Sequence, residues 1–293
     1  MLNVPLHFNE AGFFVLIGPQ GVRKMKRIAI QGVPGSFHDI ASRQYFPDDQ
    51  IQLICCATFE EVFENMKRDP TTIGVIAIEN TIAGSLLHNY DLLRASDATI
   101  VGEHKLHICH SICCLPEDDW STIQEVHSHP VALMQCRGFL ANHPEMKAVE
   151  GEDTAGSAEY ISKHKCHGWA AICHADAAEM YGLKVLENHI EDNKHNFTRF
   201  LVISNPRKAD MLRPMDKARK ASLVFSLPHS EGSLSKVLTI LSFYDINLTK
   251  IQSLRYRQSI DAISPLTSAI KIIGEYQEAA TPVALEPVEN MQS

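Results

Sequence analysis

Short apolar runs alternate with amphipathic segments from residue 27 onward. Residues 27–32 (RIAIQG) and 73–80 (IGVIAIEN) are nearly continuous apolar runs of strand length, which is the pattern of strands covered on both faces. Between them, residues 58–70 (TFEEVFENMKRDP) begin with a capping box of Thr58 and Glu61 and carry apolar side chains at helical spacing. This alternation predicts a doubly wound α/β sheet.

The same alternation recurs in the second part of the chain. Residues 103–115 are predicted to be extended, and residues 123–144 predict a strand, a turn and a helix. Residues 169–182 indicate a strand that runs into a helix closed by Gly182. Further strands are predicted at residues 184–190 and 198–204. We therefore expect two α/β lobes with a cleft between them.

The chain changes character after residue 205. Residues 206–220 contain Pro206 and Pro214, are rich in charge and lack apolar periodicity, which predicts a linker. The pattern beyond it predicts a strand at 221–229, a helix at 232–245, a strand at 246–253, a helix near 256–266 and a strand at 270–276. A small α+β domain fits this order of elements.

Both ends of the chain are expected to lie outside the folded part. The apolar run at residues 12–18 (GFFVLIG) is far shorter than the roughly 20 residues of a membrane span, and no positively charged segment precedes it. Met25 opens a natural first strand, so we expect it to be the functional start. The extension at residues 1–25 and the tail at residues 279–293 are predicted to be disordered.

Composition narrows the class of protein. A hydrophobic content of 45% and a charged content of 21% are those of an ordinary globular protein, and a net charge of −8 argues against nucleic acid as a partner. Eight cysteines without a signal peptide favour the cytosol over an oxidising compartment. The His and Cys spacing within residues 103–115 matches no common zinc motif, so no metal site is predicted.

Polar residues gather where the predicted buried strands end, the place at which open α/β sheets bind ligands. Glu79, Asn80 and Thr81 follow one such run. Gly35 and Ser36 belong to a glycine-rich turn that leads into a helix, and backbone N–H groups of such a turn can hold an anion. An ordinary tight turn explains the same glycines, so both interpretations stay open.

Two further clusters complete the candidate chemistry. The stretch HSHPVALMQC contributes Ser128 and Gln135, which could equally cap a turn and face solvent. The stretch HNFTRF contributes Asn196, Thr198 and Arg199. Strand alternation points Thr198 and Arg199 to opposite faces, so only one of them can face a given cleft. A structural ion pair is the favoured interpretation of Arg199.

Four motifs, GVPGSFHDIA, GVIAIENTIAG, HSHPVALMQC and NFTRFLVI, resemble those of the prephenate dehydratase family in order and spacing. The stretches GSLSKVL and NLTKIQS resemble its C-terminal ACT regulatory domain, and the likeness covers about residues 26–278. The resemblance implies conversion of prephenate to phenylpyruvate, water and carbon dioxide in L-phenylalanine biosynthesis, without metal or cofactor. It implies two lobes of the periplasmic-binding-protein type, a first lobe of about 26–103 plus 186–205, a second of about 104–185, and an ACT domain at 221–278.

The resemblance also implies site residues. Thr198 would assist the leaving hydroxyl, and the other catalytic positions would be Asn80, Ser128, Gln135, Glu79 and Glu152. Substrate would be contacted by Gly35, Ser36, Phe37, Thr81, Arg199 and Phe200. L-Phenylalanine would be bound as a regulator by Gly232, Ser233, Leu234, Asn247, Leu248, Gln252 and Ser253. A homodimer or homotetramer is the implied assembly, with no membrane or nucleic-acid partner.

The C-terminal part departs from the family pattern. An ACT domain has the order βαββαβ, yet after residues 246–253 the chain passes directly to residues 255–263 (RYRQSIDAI). A third strand is therefore expected to be missing, and we predict that inhibition by L-phenylalanine is weakened or lost. Two alternatives stay open: an arogenate dehydratase, with the same chemistry on the aminated substrate, and a non-catalytic two-lobed sensor of small molecules with an ACT domain.

Overall fold

The structure, a computed structural model, describes residues 25–212, 220–227, 230–251 and 270–276. Several sequence-based predictions lie outside the described residues: the extension before Met25, most of the linker, the helix near 256–266, Gln252, Ser253 and the tail. Among the residues that are described, no helix has the length and apolar character needed to cross a membrane.

Thirteen strands of the described residues form two sheets. In chain order they are β1 Met25–Gln31, β2 Gln50–Cys56, β3 Ile73–Asn80, β4 Gly84–Ser85, β5 Thr99–His107, β6 Ser111–Cys114, β7 Glu125–Ser128, β8 Lys147–Glu150, β9 Trp169–Cys173, β10 Lys184–Asn188, β11 Phe197–Ser204, β12 Lys220–Phe225 and β13 Ile270–Tyr276. The first sheet has the order β12-β13-β5-β11-β3-β1-β2, with β4 on β3, and the second has the order β10-β6-β9-β7-β8.

Helices cover both sheets. They are α1 Phe37–Tyr45, α2 Phe59–Arg68, α3 Leu87–Ala95, α4 Pro130–Gln135, α5 Arg137–Ala141, α6 Thr154–His164, α7 Ala175–Met180, α8 Pro206–Leu212 and α9 Ser233–Phe243. The predicted N-cap of α2 is confirmed, because the Thr58 hydroxyl accepts from the Glu61 N–H. The Glu61 carboxylate accepts from the Ala57 N–H, one residue before the N-cap. The fold is therefore the two-lobed α/β arrangement expected from the sequence.

The first sheet is buried on both faces. Its alternate side chains enter two separate apolar clusters: Val75 lies in one with Ile28 and Ile30, and Ile76 lies in the other with Ala29. Strand β3 pairs in parallel with β1 and antiparallel with β11. Two apolar faces explain why the run at residues 73–78 has no polar alternation.

The chain crosses between the two sheets twice. Residues 108–110 join β5 to β6, and residues 189–196 return the chain from β10 to β11. The predicted continuous extended stretch at 103–115 is thus divided between two sheets. Strand β11 lies between β5 and β3 in the first sheet, so the second crossing delivers its residues directly to the ends of those strands.

The C-terminal segment extends the first sheet. Strands β12 and β13 pair antiparallel, and β13 pairs in parallel with β5. Two predictions are corrected here. The supposed linker begins with α8, whose Ala209 is buried in the core. Residues 246–251 are not a strand: Ile246, Leu248 and Ile251 are exposed, and no described strand pairs with them. An isolated extended segment lacks the hydrogen bonds that stabilise a strand.

The fold predicts acid lability at His38. This residue of α1 accepts the Ala77 N–H through Nε2 at 3.2 Å and packs edge-on against Phe200, and burial lowers its pKa from 6.5 to about 4. Between these pH values the imidazole of His38 is protonated in the unfolded chain and neutral in the folded chain. The contribution of His38 to the free energy of unfolding is therefore fully present above pH 6.5 and is lost as the pH falls towards 4. The expected loss is up to about 3 kcal/mol.

Urea unfolding at pH 7 and pH 4.5 measures this loss. His38→Gln cannot take up the proton, and its amide oxygen can still accept the Ala77 N–H. We expect the variant to lose less stability than the parent between the two pH values. Equal losses in the two proteins would assign the acid lability to other groups.

Candidate active site

The end of β3 and the start of β11 form the centre of the site. The two strands place Asn80 opposite Thr198, and Asn80 Nδ2 donates to Thr198 Oγ1 at 2.9 Å and to Asn196 Oδ1 at 2.7 Å. Asn80 Oδ1 accepts from the N–H groups of Ile82 and Ala83 at 2.9 and 2.8 Å. These two bonds fix the amide orientation, so that the NH₂ group faces Thr198.

The Thr198 hydroxyl is left with a proton to donate. It is only 9% exposed and accepts from Asn80, and within the described part of the chain it has no acceptor for its own O–H. The amide of Asn80 is no base, so nothing here prepares Thr198 to act as a nucleophile. The arrangement instead presents a neutral hydrogen-bond donor where β3 ends and β11 begins.

A second limb of the network reaches into the other lobe. Asn196 Nδ2 donates to Gln135 Oε1 at 3.0 Å, and His110 Nε2 lies 2.9 Å from the same oxygen. An amide oxygen only accepts, so His110 carries its proton on Nε2. The network therefore runs from Thr198 through Asn80, Asn196 and Gln135 to His110, and links β3 and β11 to α4 and the first crossing.

The far end of the network is neutral. Burial lowers the pKa of His110, which is 1% exposed, so its imidazole is uncharged at neutral pH. Gln135 uses its Oε1 for both neighbours, which leaves the hydrogens of its Nε2 for a ligand. The site thus offers amide and hydroxyl donors, an arrangement suited to stabilising negative charge that develops on an oxygen.

The glycine-rich turn lies beside this network. Ser36 caps α1, and Gly35 adopts a φ of +79°. The Gly35 N–H already donates to the buried Asp39 carboxylate at 2.8 Å, so this group is occupied and does not await an anion. Phe37 packs edge-on against His110 and His174, with ring centroids 5.6 and 5.9 Å apart. Phe37 therefore brings the turn against the second lobe.

Glu79 and Arg199 lie away from the Thr198 network. Arg199 Nε donates to Glu103 at 2.6 Å, and Lys250 Nζ donates to Glu79 at 2.6 Å. Strand alternation explains the separation, because Glu79 is the neighbour of Asn80 and Arg199 is the neighbour of Thr198. The predicted opposition of Thr198 and Arg199 is confirmed, and the structure places Arg199 in an ion pair. The resemblance-based positions of Glu79 and Arg199 in the cleft are not what the structure shows.

The other sequence-predicted residues make no hydrogen bond to Thr198 within the described part of the chain. Ser128 is fully buried at the end of β7, where its hydroxyl donates to the Ile172 carbonyl at 2.6 Å. Phe200 is 1% exposed within the core, so its ring has no open face for a ligand. Thr81 donates to the His195 carbonyl and accepts the Phe197 N–H, which ties down the start of β11. Glu152 is exposed after β8.

Two members of the network had no predicted role in the site: Asn196 was named only as candidate chemistry, and His110 was not named. Asn196 is fully buried and His110 nearly so, and each holds Gln135 in place. A polar side chain just before β11 gave a weak signal for Asn196. His110 is one of 15 histidines and lies in an apolar stretch, so its neighbours could be recognised only in three dimensions.

The regulatory residues predicted from the resemblance are described in part. Gly232 precedes α9 with a φ of +74°, and Ser233 and Leu234 open that helix. Asn247 and Leu248 lie in the exposed segment that follows. No contact between these residues and the Thr198 network is present in the described parts of the chain.

Comparison with known proteins identifies the family of this chain. Residues 28–208 match the family described as prephenate dehydratase. A curated relative, arogenate dehydratase/prephenate dehydratase 6 of Arabidopsis thaliana, chloroplastic, is 37% identical over 228 residues, which is 78% of this chain and 54% of the relative. The chain spans about half the length of the curated relatives it matches.

Solved structures are similar over most of the chain. The prephenate dehydratase of Staphylococcus aureus is 26% identical with a TM-score of 0.70, covering 86% of this chain and all of that one. A prephenate dehydratase of Arthrobacter aurescens in complex with L-Phe is 26% identical with a TM-score of 0.65, covering 74% and 72%. A protein described as a quorum quenching acylase, GqqA, is 27% identical with a TM-score of 0.71, covering 86% and 98%. The family match covers more than half of the chain, and the chain therefore belongs to the prephenate dehydratase family.

Proposed function

We propose that this protein catalyses the decarboxylative dehydration of prephenate to phenylpyruvate, in the biosynthesis of L-phenylalanine. The observation that carries the proposal is the Thr198 hydroxyl, held by Asn80 and left with its proton. The family match and the named relatives support the same reaction class, a dehydratase.

The reaction does not require a strong acid or base from the protein. The electrons of the bond to the ring carboxylate form a new ring double bond as carbon dioxide leaves, and the ring carbon–oxygen bond breaks. The departing hydroxide takes a proton and leaves as water, and the product is aromatic. A donor aimed at that oxygen stabilises the charge that develops on it. Thr198 supplies this donor, and the neutral amide of Gln135 supplies a second one across the cleft.

Arogenate is the second candidate substrate. The same ring chemistry applies to it, since the two compounds differ only in the side chain that carries the keto or the amino group. Curated relatives carry arogenate dehydratase alone or both names, which is the observation that favours keeping it. Purified protein given each substrate in parallel separates the two: we expect a higher kcat/KM for prephenate. A higher value for arogenate would reverse the assignment.

Acyl-bond cleavage is a different reaction class, and the similarity to GqqA, a quorum quenching acylase, raises it as a candidate. Acyl transfer uses an activated nucleophile or a water activated by a base or a metal. Thr198 is held by an amide instead. Dehydration therefore fits this site better.

L-Phenylalanine is proposed as a ligand of the C-terminal segment. The Arthrobacter relative was solved with L-Phe, and the residues around Gly232 resemble the family's ACT regulatory domain. The strand expected after residue 253 is missing from the sequence pattern, so inhibition should be weak. Titration of L-phenylalanine into the activity assay is expected to give little inhibition. Full inhibition at low concentration would contradict the prediction.

A second copy of this chain is the proposed partner. Large apolar side chains are exposed on α9 and the segment after it, among them Phe243 at 80% and Tyr244 at 68%. An exposed apolar face of this kind is typical of a protein–protein interface. Two C-terminal segments related by twofold symmetry would bury it against each other. Sedimentation equilibrium should find a homodimer or homotetramer, and Phe243→Asp should shift it towards the monomer. The cytosolic location stays a prediction from the sequence.

A further inference from the structure

Three side chains with metal-binding chemistry meet where the chain crosses between the lobes, and a fourth, His107, lies beside one of them. His107 ends β5 and Cys109 lies in the first crossing. His189 and Glu191 lie in the second crossing. His107 and Cys109 have the spacing i, i+2, which places both side chains on one side of an extended segment. His189 adopts a φ of +56°, and Glu191 follows two residues later. None of the four belongs to the network around Thr198.

The distances suit a small ion. Cys109 Sγ, a ring nitrogen of His189 and a carboxylate oxygen of Glu191 all lie within 4.8 Å of one another. His107 Nδ1 lies 3.2 Å from Cys109 Sγ, and His189 Nδ1 lies 3.7 Å from Glu191 Oε1. Neighbouring ligand atoms in a tetrahedral zinc site lie roughly 3.5 Å apart. Side-chain adjustments on the order of 1 Å would therefore close Cys109, His189 and Glu191 around an ion, and His107 would approach from beside Cys109.

The carboxylate of Glu191 is buried, and one of its oxygens makes ion pairs but no hydrogen bond within the described residues. The residue is 2% exposed, and its Oε2 accepts the His110 N–H at 2.8 Å. Its Oε1 is buried and has no hydrogen-bond partner in the described residues, although Lys194 Nζ lies 3.5 Å away as an ion pair. A buried acceptor with spare capacity is costly unless a cation or a donor faces it.

His107 is already oriented as a ligand would be. Its Nε2 lies 2.6 Å from the Lys194 carbonyl oxygen and donates to it, so Nδ1 carries the lone pair that faces the Cys109 thiol. Metal-binding histidines characteristically donate their other ring N–H to a carbonyl or carboxylate in this way. The thiol proton now shared with His107 is the one that a metal ion would replace.

We propose that His107, Cys109, His189 and Glu191 form a binding site for Zn²⁺ or a similar borderline-soft divalent cation. Thiolate, imidazole and carboxylate together are the ligand set of zinc rather than of calcium or magnesium. Lys194 competes with the ion for Glu191. The ion would fasten the two crossings together beside His110, whose backbone bonds Glu191 and whose ring bonds Gln135.

Binding depends on pH in a defined direction. Burial, and after it the charge of Glu191, raises the pKa of Cys109 to about 11. The metal ion must therefore displace the thiol proton, and apparent affinity rises with pH.

Co²⁺ titration of the reduced full-length protein tests the proposal without any substrate. We expect one Co²⁺ per chain, a thiolate-to-cobalt charge-transfer band in the near ultraviolet, tetrahedral d–d bands in the visible range, and displacement of both by Zn²⁺. Cys109→Ser should weaken binding by more than about a hundredfold and remove the thiolate band. Cys55→Ser, which changes an exposed thiol on β2, is the matched control and should keep the band.

Lys194→Met should change the affinity for Co²⁺ in the opposite direction to Cys109→Ser. Removal of the competing ammonium should tighten Co²⁺ binding several-fold, a gain that no general disruption of the fold would produce. The proposal is overturned if the parent protein gives no thiolate band, if the band survives Cys109→Ser, or if Lys194→Met binds no more tightly than the parent. These outcomes are independent of turnover, so they stand whether or not prephenate is the substrate.

Discussion

Thr198→Val is expected to lower kcat for prephenate by about 10²–10⁴-fold, with little change in substrate binding. Valine keeps the shape of threonine but removes the only hydroxyl that Asn80 holds at the end of β11. The ring carbon–oxygen bond then breaks without a donor on its oxygen. Because valine has nearly the same shape and volume as threonine, the substitution should leave the fold intact. Steady-state kinetics and direct substrate binding measure the two parts separately.

Two variants control this experiment. Thr198→Ser keeps the hydroxyl and should retain measurable turnover. Thr71→Val removes an exposed hydroxyl that bonds only within its own turn at Asp69, and it should leave kcat unchanged. A Thr198→Val protein that turns over at nearly the parental rate would remove Thr198 from the reaction. A parent protein that binds prephenate without turning it over would favour the small-molecule sensor instead.

Glu103→Gln is expected to destabilise the protein by about 3 kcal/mol. The Glu103 side chain is fully buried on β5, where it accepts from Arg199 Nε at 2.6 Å and from Lys220 Nζ at 2.9 Å. Burial alone would lower the pKa of Arg199, but the charge of Glu103 reverses this and holds it above its usual value. Glutamine leaves two cations facing a neutral amide. Glu79, 3.8 Å from Arg199, compensates in part.

Urea unfolding at neutral pH measures this loss. Glu64→Gln breaks an exposed i, i+4 pair with Arg68 on α2, so it is the matched control and should cost no more than about 0.5 kcal/mol. Because Lys220 lies on β12, the buried pair also holds the C-terminal segment against the first lobe. A loss below about 1 kcal/mol for Glu103→Gln would mean that water replaces the missing charge.

Strand parity accounts for what the sequence could predict of the site. Alternation alone placed Thr198 and Arg199 on opposite faces, and the structure confirms it. The same rule separates Asn80 from Glu79, which the resemblance had put together in the cleft. Here a local rule of backbone geometry was more informative than proximity along the chain.

The rest of the network depends on contacts between distant parts of the chain. Gln135 meets Asn196 and His110 only because the two crossings bring α4 against the end of β11. Hydrophobic periodicity identifies strands and helices but does not say which strand ends become neighbours. The burial that makes His110 neutral likewise comes from residues far away in the sequence.

The C-terminal segment shows the limits of the apolar pattern. Residues 246–251 have the composition of a strand, yet a strand also requires a partner with free hydrogen-bonding groups. The charged stretch from residue 206 contains Ala209, which is buried, and Leu212, which packs against the same core cluster, and these two residues dock α8. Both errors arose where pairing and docking decide the structure rather than local composition.

Stoichiometric release of phenylpyruvate and carbon dioxide from prephenate tests the central claim most directly. Purified full-length protein should produce both at equal rates, and Thr198→Val in the same assay should produce neither above about one hundredth of that rate. Folded protein that releases no carbon dioxide from prephenate, or a Thr198→Val protein as active as the parent, would contradict the assignment of this reaction to this site.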